Sequence, residues 1–183
     1  MNFNARILVK NHENICHILA ATEHRFSVTS ITKTWIRSSD YSELNLPGYQ
    51  VSNHRSDRAG GGVGMYIDQD LSFKILKEHN SHDTSIFESL FAEICLNNVQ
   101  NVVAGVIYRP PSENTLTCLE KFDELLSKLT RKEKTYYICG DFNLDLLQFE
   151  NNSTTAQIVE SLIFCLLFVT NNKTDVSLSI LQL

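Results

Sequence analysis

The sequence predicts an α/β domain in which strands and amphipathic helices are interspersed along 183 residues. Three observations predict it. Two apolar runs, Val102-Val103-Ala104-Gly105-Val106-Ile107-Tyr108 and Tyr136-Tyr137-Ile138-Cys139, have the length and the β-branched or aromatic content of buried strands. Between them, Leu116, Leu119, Phe122, Leu125, Leu126 and Leu129 recur at three- and four-residue spacing, which gives one apolar face to a helix over 112–130. Ahead of both, segment 63–109 carries four strand-like stretches separated by turn residues.

Taken in order, 1–6 reads as a short first strand, and 13–22 as a helix with Ile15, Ile18 and Leu19 on one face. No two of His12, His17 and His24 are four apart on that face, so a metal role for them is not expected. Alternating polarity marks 26–32 as a strand, and 38–50 is a polar connection containing Pro47-Gly48. In the loop 54–62, Gly60-Gly61-Gly62 could cradle a phosphate; turn chemistry is the alternative, since no P-loop lysine follows and no helix starts there.

Strands 63–67 and 71–76 are expected to pair as a hairpin around Asp68-Gln69-Asp70, and 87–96 with 101–109 around Asn97-Asn98, all four in one antiparallel sheet. Ser112 or Thr115 can cap the helix over 112–130, and a charged stretch, 131–134, closes it before the central strand begins at Thr135. A loop at 151–153 leads to an apolar helix over 156–168. The domain is thus expected to occupy 1–170, with 171–183 as a divergent tail.

Composition narrows the function. With 43% hydrophobic and 20% charged residues the chain can bury one real core. A formal charge of −5 and a pI of about 5.6 exclude a protein that coats nucleic acid electrostatically, so any DNA contact must be local. Arg55, Arg58 and Arg109 are the candidates, the first two equally readable as solvated loop charges. Five cysteines, an odd number with no C-x-x-C, read as buried free thiols of a reducing compartment. The first nine residues lack a signal-peptide pattern, and no run approaches the roughly 20 apolar residues of a membrane span; a nuclear or cytoplasmic location is expected.

The chemistry concentrates at two strand exits. In an extended chain Asp141 and Asn143 face the same way, with Phe142 packed behind. Asp141 could hold a water or a metal-bound hydroxide, and Asn143 could donate to a phosphate oxygen; the alternative is a strand end closed by an Asp-turn. Tyr108-Arg109-Pro110-Pro111 ends the other strand with a phenol and a planar guanidinium, both suited to phosphate.

Gly140-Asp141-Phe142-Asn143 after an apolar strand, Tyr108-Arg109-Pro110-Pro111 about thirty residues earlier, Leu46-Pro47-Gly48-Tyr49, and Gly60-Gly61-Gly62-Val63-Gly64-Met65-Tyr66-Ile67 resemble, in order and spacing from about Asn4 to Leu147, the endonuclease/exonuclease/phosphatase superfamily. Within it the pattern is most similar to the N-terminal endonuclease domain of non-LTR (LINE or jockey-type) retrotransposon polyproteins, in which a reverse transcriptase follows.

The resemblance implies a layered sandwich of two mixed β-sheets flanked by helices, here C-terminally incomplete, and a Mg²⁺-dependent DNA-nicking hydrolase. It implies Asp141, Asn143 and Tyr108 as catalytic residues, Arg109 and Asn4 as phosphate-binding residues, and Asn4 and Asp141 at the metal; an exposed terminal residue is the alternative for Asn4. A phosphatase of the same superfamily is a further possibility.

Two departures stand out. Lys33-Thr34-Trp35-Ile36 occupies the place of the family's Glu-Thr-Trp-Leu, whose Glu ligates Mg²⁺. At an effective dielectric of about 20, an ammonium roughly 4 Å from a divalent ion is repelled by about 8 kcal/mol, so metal binding should be weakened. Alternatively, the ammonium takes the metal's place and binds Asp141 or phosphate directly. The family's late Asp and Ser-Asp-His run also has no counterpart, since Asp175 is the only acidic residue after Glu160 and no histidine follows His82. Severely reduced activity, or a non-catalytic phosphate- or DNA-binding remnant, is the expectation.

Overall fold

The structure is a computed structural model and describes residues 1–36, 44–54, 61–83, 85–96, 100–111, 115–130, 134–143, 153, 156–157, 159–160 and 176–179. Among the described residues, ten strands and two α-helices follow in the order β1 (Asn2–Asn4), α1 (Leu8–Ala21), β2 (Val28–Thr32), β3 (Tyr49–His54), β4 (Val63–Asp68), β5 (Ser72–Ile75), β6 (Ser81–Asp83), β7 (Phe87–Cys95), β8 (Val102–Tyr108), α2 (Thr115–Thr130), β9 (Thr135–Asp141) and β10 (Val176–Ser179), with a short 3-10 turn at Lys77–His79. They form a four-stranded sheet, β1-β2-β4-β3, and a six-stranded sheet, β10-β9-β8-β7-β5 with β6 also on β7. Both are mixed: β1 runs parallel to β2, and β8, β9 and β10 are parallel neighbours, while the remaining pairs are antiparallel.

Strand alternation produces the layers. From β4, Val63, Met65 and Ile67 meet Leu90, Ala92 and Ile94 of β7 and Ala104, Val106 and Tyr108 of β8, filling the space between the sheets. The opposite face of the six-stranded sheet, with Phe91, Val103, Ile107, Tyr136 and Ile138, takes the apolar stripe of α2 through Phe122, Leu125, Leu126 and Leu129. Helix α1 covers the other sheet with Leu8, Ile15 and Leu19 against Ile31 and Tyr66. The helix–sheet–sheet–helix sandwich implied by the resemblance is the architecture found.

Several elements differ from expectation. The hairpin of 63–67 with 71–76 does not form: β4 pairs with β2 and β3, while β5 crosses to the other sheet and pairs with β7. Burial explains the exchange. Val63 to Ile67 are buried without alternation, as a central strand requires, whereas β5 alternates exposed and half-buried positions and suits an edge. Helix α1 starts at Leu8, well before residue 13, because Leu8, Ile15 and Leu19 share one face and the Asn11 amide donates back to Ala5 O at 2.7 Å. Strand β3 was not expected: it starts at the end of the polar connection 38–50 and runs to the first residue of the loop 54–62.

The thiols are less buried than their apolar surroundings suggest: Cys118 is buried, Cys16 and Cys139 are half-buried, Cys95 is exposed, and all four are free. Arg55, Arg58, Gly60, Ser112 and most of the helix over 156–168 lie outside the described residues. Of the tail, only 176–179 is described, and it extends the six-stranded sheet beyond β9.

Candidate active site

The site lies where several strands end at one edge of the sandwich. Register sets its first row: Glu88 pairs with Tyr108, and Tyr108 with Asp141, so three chemistry-bearing residues stand side by side on neighbouring strands. All three belong to the face that looks toward the other sheet. From that sheet, Asn4 at the end of β1 and Lys33 just past β2 complete the group. Asn4 is in register with Thr32, so β1 and β2 deliver both residues to the same edge.

Asp141 is the centre. Its Oδ2 accepts from Asn4 Nδ2 at 2.9 Å and lies 2.6 Å from Lys33 Nζ, and its Oδ1 accepts the Asn143 backbone N–H at 3.1 Å. The ion pair is well covered, with the Lys33 and Asp141 side chains 18% and 11% exposed. Lys33 Nζ also sits 5.5 Å from the centroid of the Tyr108 ring, within cation–π range. Burial, followed by the charges of Asp141 and Glu88, raises the Tyr108 pKa, so its phenol stays protonated and able to donate.

The backbone holds Lys33 in place. Its φ of 54° is left-handed, a conformation that costs a non-glycine residue energy and needs external support. Flanking hydrogen bonds supply it: Ile7 N–H to Lys33 O, Thr34 N–H to Gly62 O and Trp35 N–H to Gly61 O. The glycine segment is anchored in turn by Glu88, whose Oε2 accepts the Gly62 N–H at 2.6 Å. A Cβ on Gly61 would fall 2.3 Å from that carboxylate oxygen, and Gly61 has φ +81°, so two demands require glycine there. Turn chemistry is therefore the role the described glycines play.

The residues expected to act do not all converge. Asp141, Tyr108 and Asn4 come together. Asn143 does not lie on an extended strand beside Asp141, because β9 ends at Asp141 and Asn143 has φ 47°. The segment closes as an Asp-turn, and the Asn143 side-chain amide donates to Arg109 O. Arg109 is 6% exposed and its Nη1 donates to Phe142 O and Asn143 O, both at 3.2 Å. It braces the turn from beneath, with Nη1 engaged by these two carbonyls. The residue that sequence reasoning missed is Glu88. Its signal was a carboxylate on the same strand face as Leu90, Ala92 and Ile94, where a charge stands only with dedicated partners.

A divalent metal, which the resemblance implies, does not fit these residues. The Asp141 oxygen nearest Asn4 already takes an ammonium and an amide, which fills both of its lone-pair directions. The ammonium would repel a divalent ion by about 8 kcal/mol at roughly 4 Å and an effective dielectric of about 20. Among the described residues no three His, Cys, Asp or Glu side chains are grouped as a metal site.

This is the endonuclease/exonuclease/phosphatase fold. Solved structures similar to it include a humanized zebrafish (D. rerio) TDP2 (TM-score 0.58, 13% identity, covering 82% of this chain and 68% of that one). An AP endonuclease from Archaeoglobus fulgidus is similar at TM-score 0.59 and 14% identity, covering 89% of this chain and 68% of its own. The 3′ phosphatase NExo from Neisseria, bound to product DNA hairpin, gives TM-score 0.59 and 13% identity over 90% and 69% of the two chains. The chain therefore spans about two thirds of the length of these neighbours. No family model matches the sequence, and no curated protein matches it.

Proposed function

We propose that the domain is a phosphodiester hydrolase of the DNA-nicking type associated with non-LTR retrotransposons, with turnover severely reduced. The observation that supports this most is the alignment of Asp141 and Tyr108 in register at one sheet edge, with Asn4 reaching Asp141 from the other sheet. Asp141 Oδ1 keeps a lone-pair direction beyond the Asn143 N–H, enough to orient an attacking water. The protonated Tyr108 phenol donates to a phosphoryl oxygen as its charge grows, and the second Asn4 amide proton can do the same. Lys33 engages the carboxylate that should position the water, which is the physical reason for slow turnover.

The test is a supercoiled-plasmid nicking assay, with and without Mg²⁺, on the native chain, Lys33→Glu, and Asp141→Ala in each background. Slow nicking that Asp141→Ala abolishes is the expected result. Nicking that survives Asp141→Ala, or silence from every folded form, overturns the hydrolase reading. The Lys33–Asp141 pair favours a second reading, a non-catalytic binder of DNA phosphates, and complete silence with folding intact would select it.

A further inference from the structure

We infer that Lys33 is the site's own cation: the sheet edge formed by Lys33, Asn4 and Tyr108 receives a phosphoryl oxyanion without a divalent metal. The inference rests on reading this edge as one that faces phosphate, but it does not require hydrolysis.

Three observations carry it. The ammonium contacts a carboxylate that the fold's own register delivers, at 2.6 Å, and one contact occupies one of its three protons. Its position is imposed by the backbone, because the left-handed φ at Lys33 is fixed by hydrogen bonds at residues 33, 34 and 35. Its neighbours carry donors: the Asn4 amide bonds the same carboxylate oxygen, and the ring of Tyr108, in register with Asp141, lies 5.5 Å from the ammonium.

That set has spare protons and few spare lone pairs. An anion satisfies such a set and a cation does not. Lys33 and Asp141 offset each other, and the Glu88 carboxylate, one strand further along and bonded to the Gly62 N–H, adds no attraction, so any pull on an anion is short-ranged, which suits local contact with one phosphate in a chain of net charge −5.

Two phosphate sources share this chemistry: an internal DNA diester and a terminal monoester. The experiment measures binding by fluorescence anisotropy, in excess EDTA and again in excess Mg²⁺. The probes are a labelled DNA duplex with hydroxyl ends and the same duplex with a 5′ phosphate, with inorganic phosphate as competitor.

The native chain is expected to bind in EDTA with no gain from Mg²⁺. Lys33→Met should weaken binding by roughly tenfold or more, the loss of one charge-assisted hydrogen bond. Lys33→Glu should lose binding in EDTA and recover it in Mg²⁺. Equal binding of the two duplexes assigns the diester, and a preference for the phosphorylated end assigns the monoester.

Since Lys33→Met leaves Asp141 uncompensated, Lys33→Met with Asp141→Asn provides a variant without the stranded charge, and it should bind as weakly. Water-proton relaxation with Mn²⁺ adds a readout free of DNA: the native chain should hold no ion at this site and Lys33→Glu should hold one. Native binding that requires Mg²⁺, equal binding by native and Lys33→Met chains, or absence of binding under both conditions overturns the inference. A silent nicking assay alongside intact binding in EDTA overturns only the hydrolase reading.

Discussion

Replacing Lys33 with methionine keeps the stem of the side chain and deletes its charge, leaving Asp141 ionised under cover. Breaking a fully buried pair from one side costs about 3–5 kcal/mol. Here the cost is smaller for two reasons. Both side chains retain some solvent, 18% and 11%, and Asp141 keeps its bonds from Asn4 Nδ2 and Asn143 N–H. A loss of about 2 kcal/mol follows, which lowers the melting temperature by about 4–8 °C for a chain of this size.

Asp141→Asn in the Lys33→Met background should then cost little more, because the carboxylate it removes no longer has a cation. Thermal melts of the four chains give the coupling energy directly. The exposed Lys128–Glu124 pair on α2 is an internal control with no measurable coupling expected. A Lys33–Asp141 coupling below about 0.5 kcal/mol would refute the reasoning, since that is how an exposed pair behaves.

Two further outcomes follow from packing and burial. A Cβ on Gly140 would lie 1.9 Å from Ile107 O and 2.8 Å from Ile107 C, both backbone atoms of the adjoining strand. Gly140→Ala should therefore open the β8–β9 pairing and cost more than about 4 kcal/mol, visible as loss of the cooperative melt in circular dichroism; a melt within a few degrees of the native chain would contradict the packing.

Burial pushes the Tyr136 pKa up to about 12, helped by the charges of Glu93 and Glu78, and its hydroxyl is buried with no hydrogen-bond partner among the described residues. The folded state thus holds this proton longer than the unfolded state, so the contribution is complete below about pH 10 and is lost as pH rises from there towards 12. Tyr136→Phe should flatten that alkaline limb of a stability–pH curve at little or no cost at neutral pH, and an unchanged limb would show that Tyr136 is not its source.

Periodicity was enough to place the long elements. The stripe of α2 and the runs at β8 and β9 read directly, because one side of each must be apolar to be buried. What a linear pattern does not carry is partner choice. Strands β4 and β5 look like a hairpin until the burial of Val63 to Ile67 on both faces demands two neighbours, which β2 and β3 provide.

The site divides in the same way. Asp141 and Tyr108 were legible from residue type at strand exits, and Asn4 only through the family resemblance. Asn143 and Arg109 were not, because a left-handed turn at Asn143 redirects both side chains onto backbone carbonyls. Glu88 escaped notice because its meaning comes from Gly62, 26 residues away in sequence.

The bond between Asn4 and Asp141 joins residues 137 positions apart. It also depends on parallel pairings, β1 with β2 and β8 with β9, which close long stretches of chain before any contact repays the lost entropy. The order of assembly is thereby constrained. During synthesis Asn4 emerges first and must wait for Asp141 to leave the ribosome, and helix α2 can dock before the Asn4–Asp141 edge exists. An edge that draws one residue from each sheet is lost when either sheet loosens.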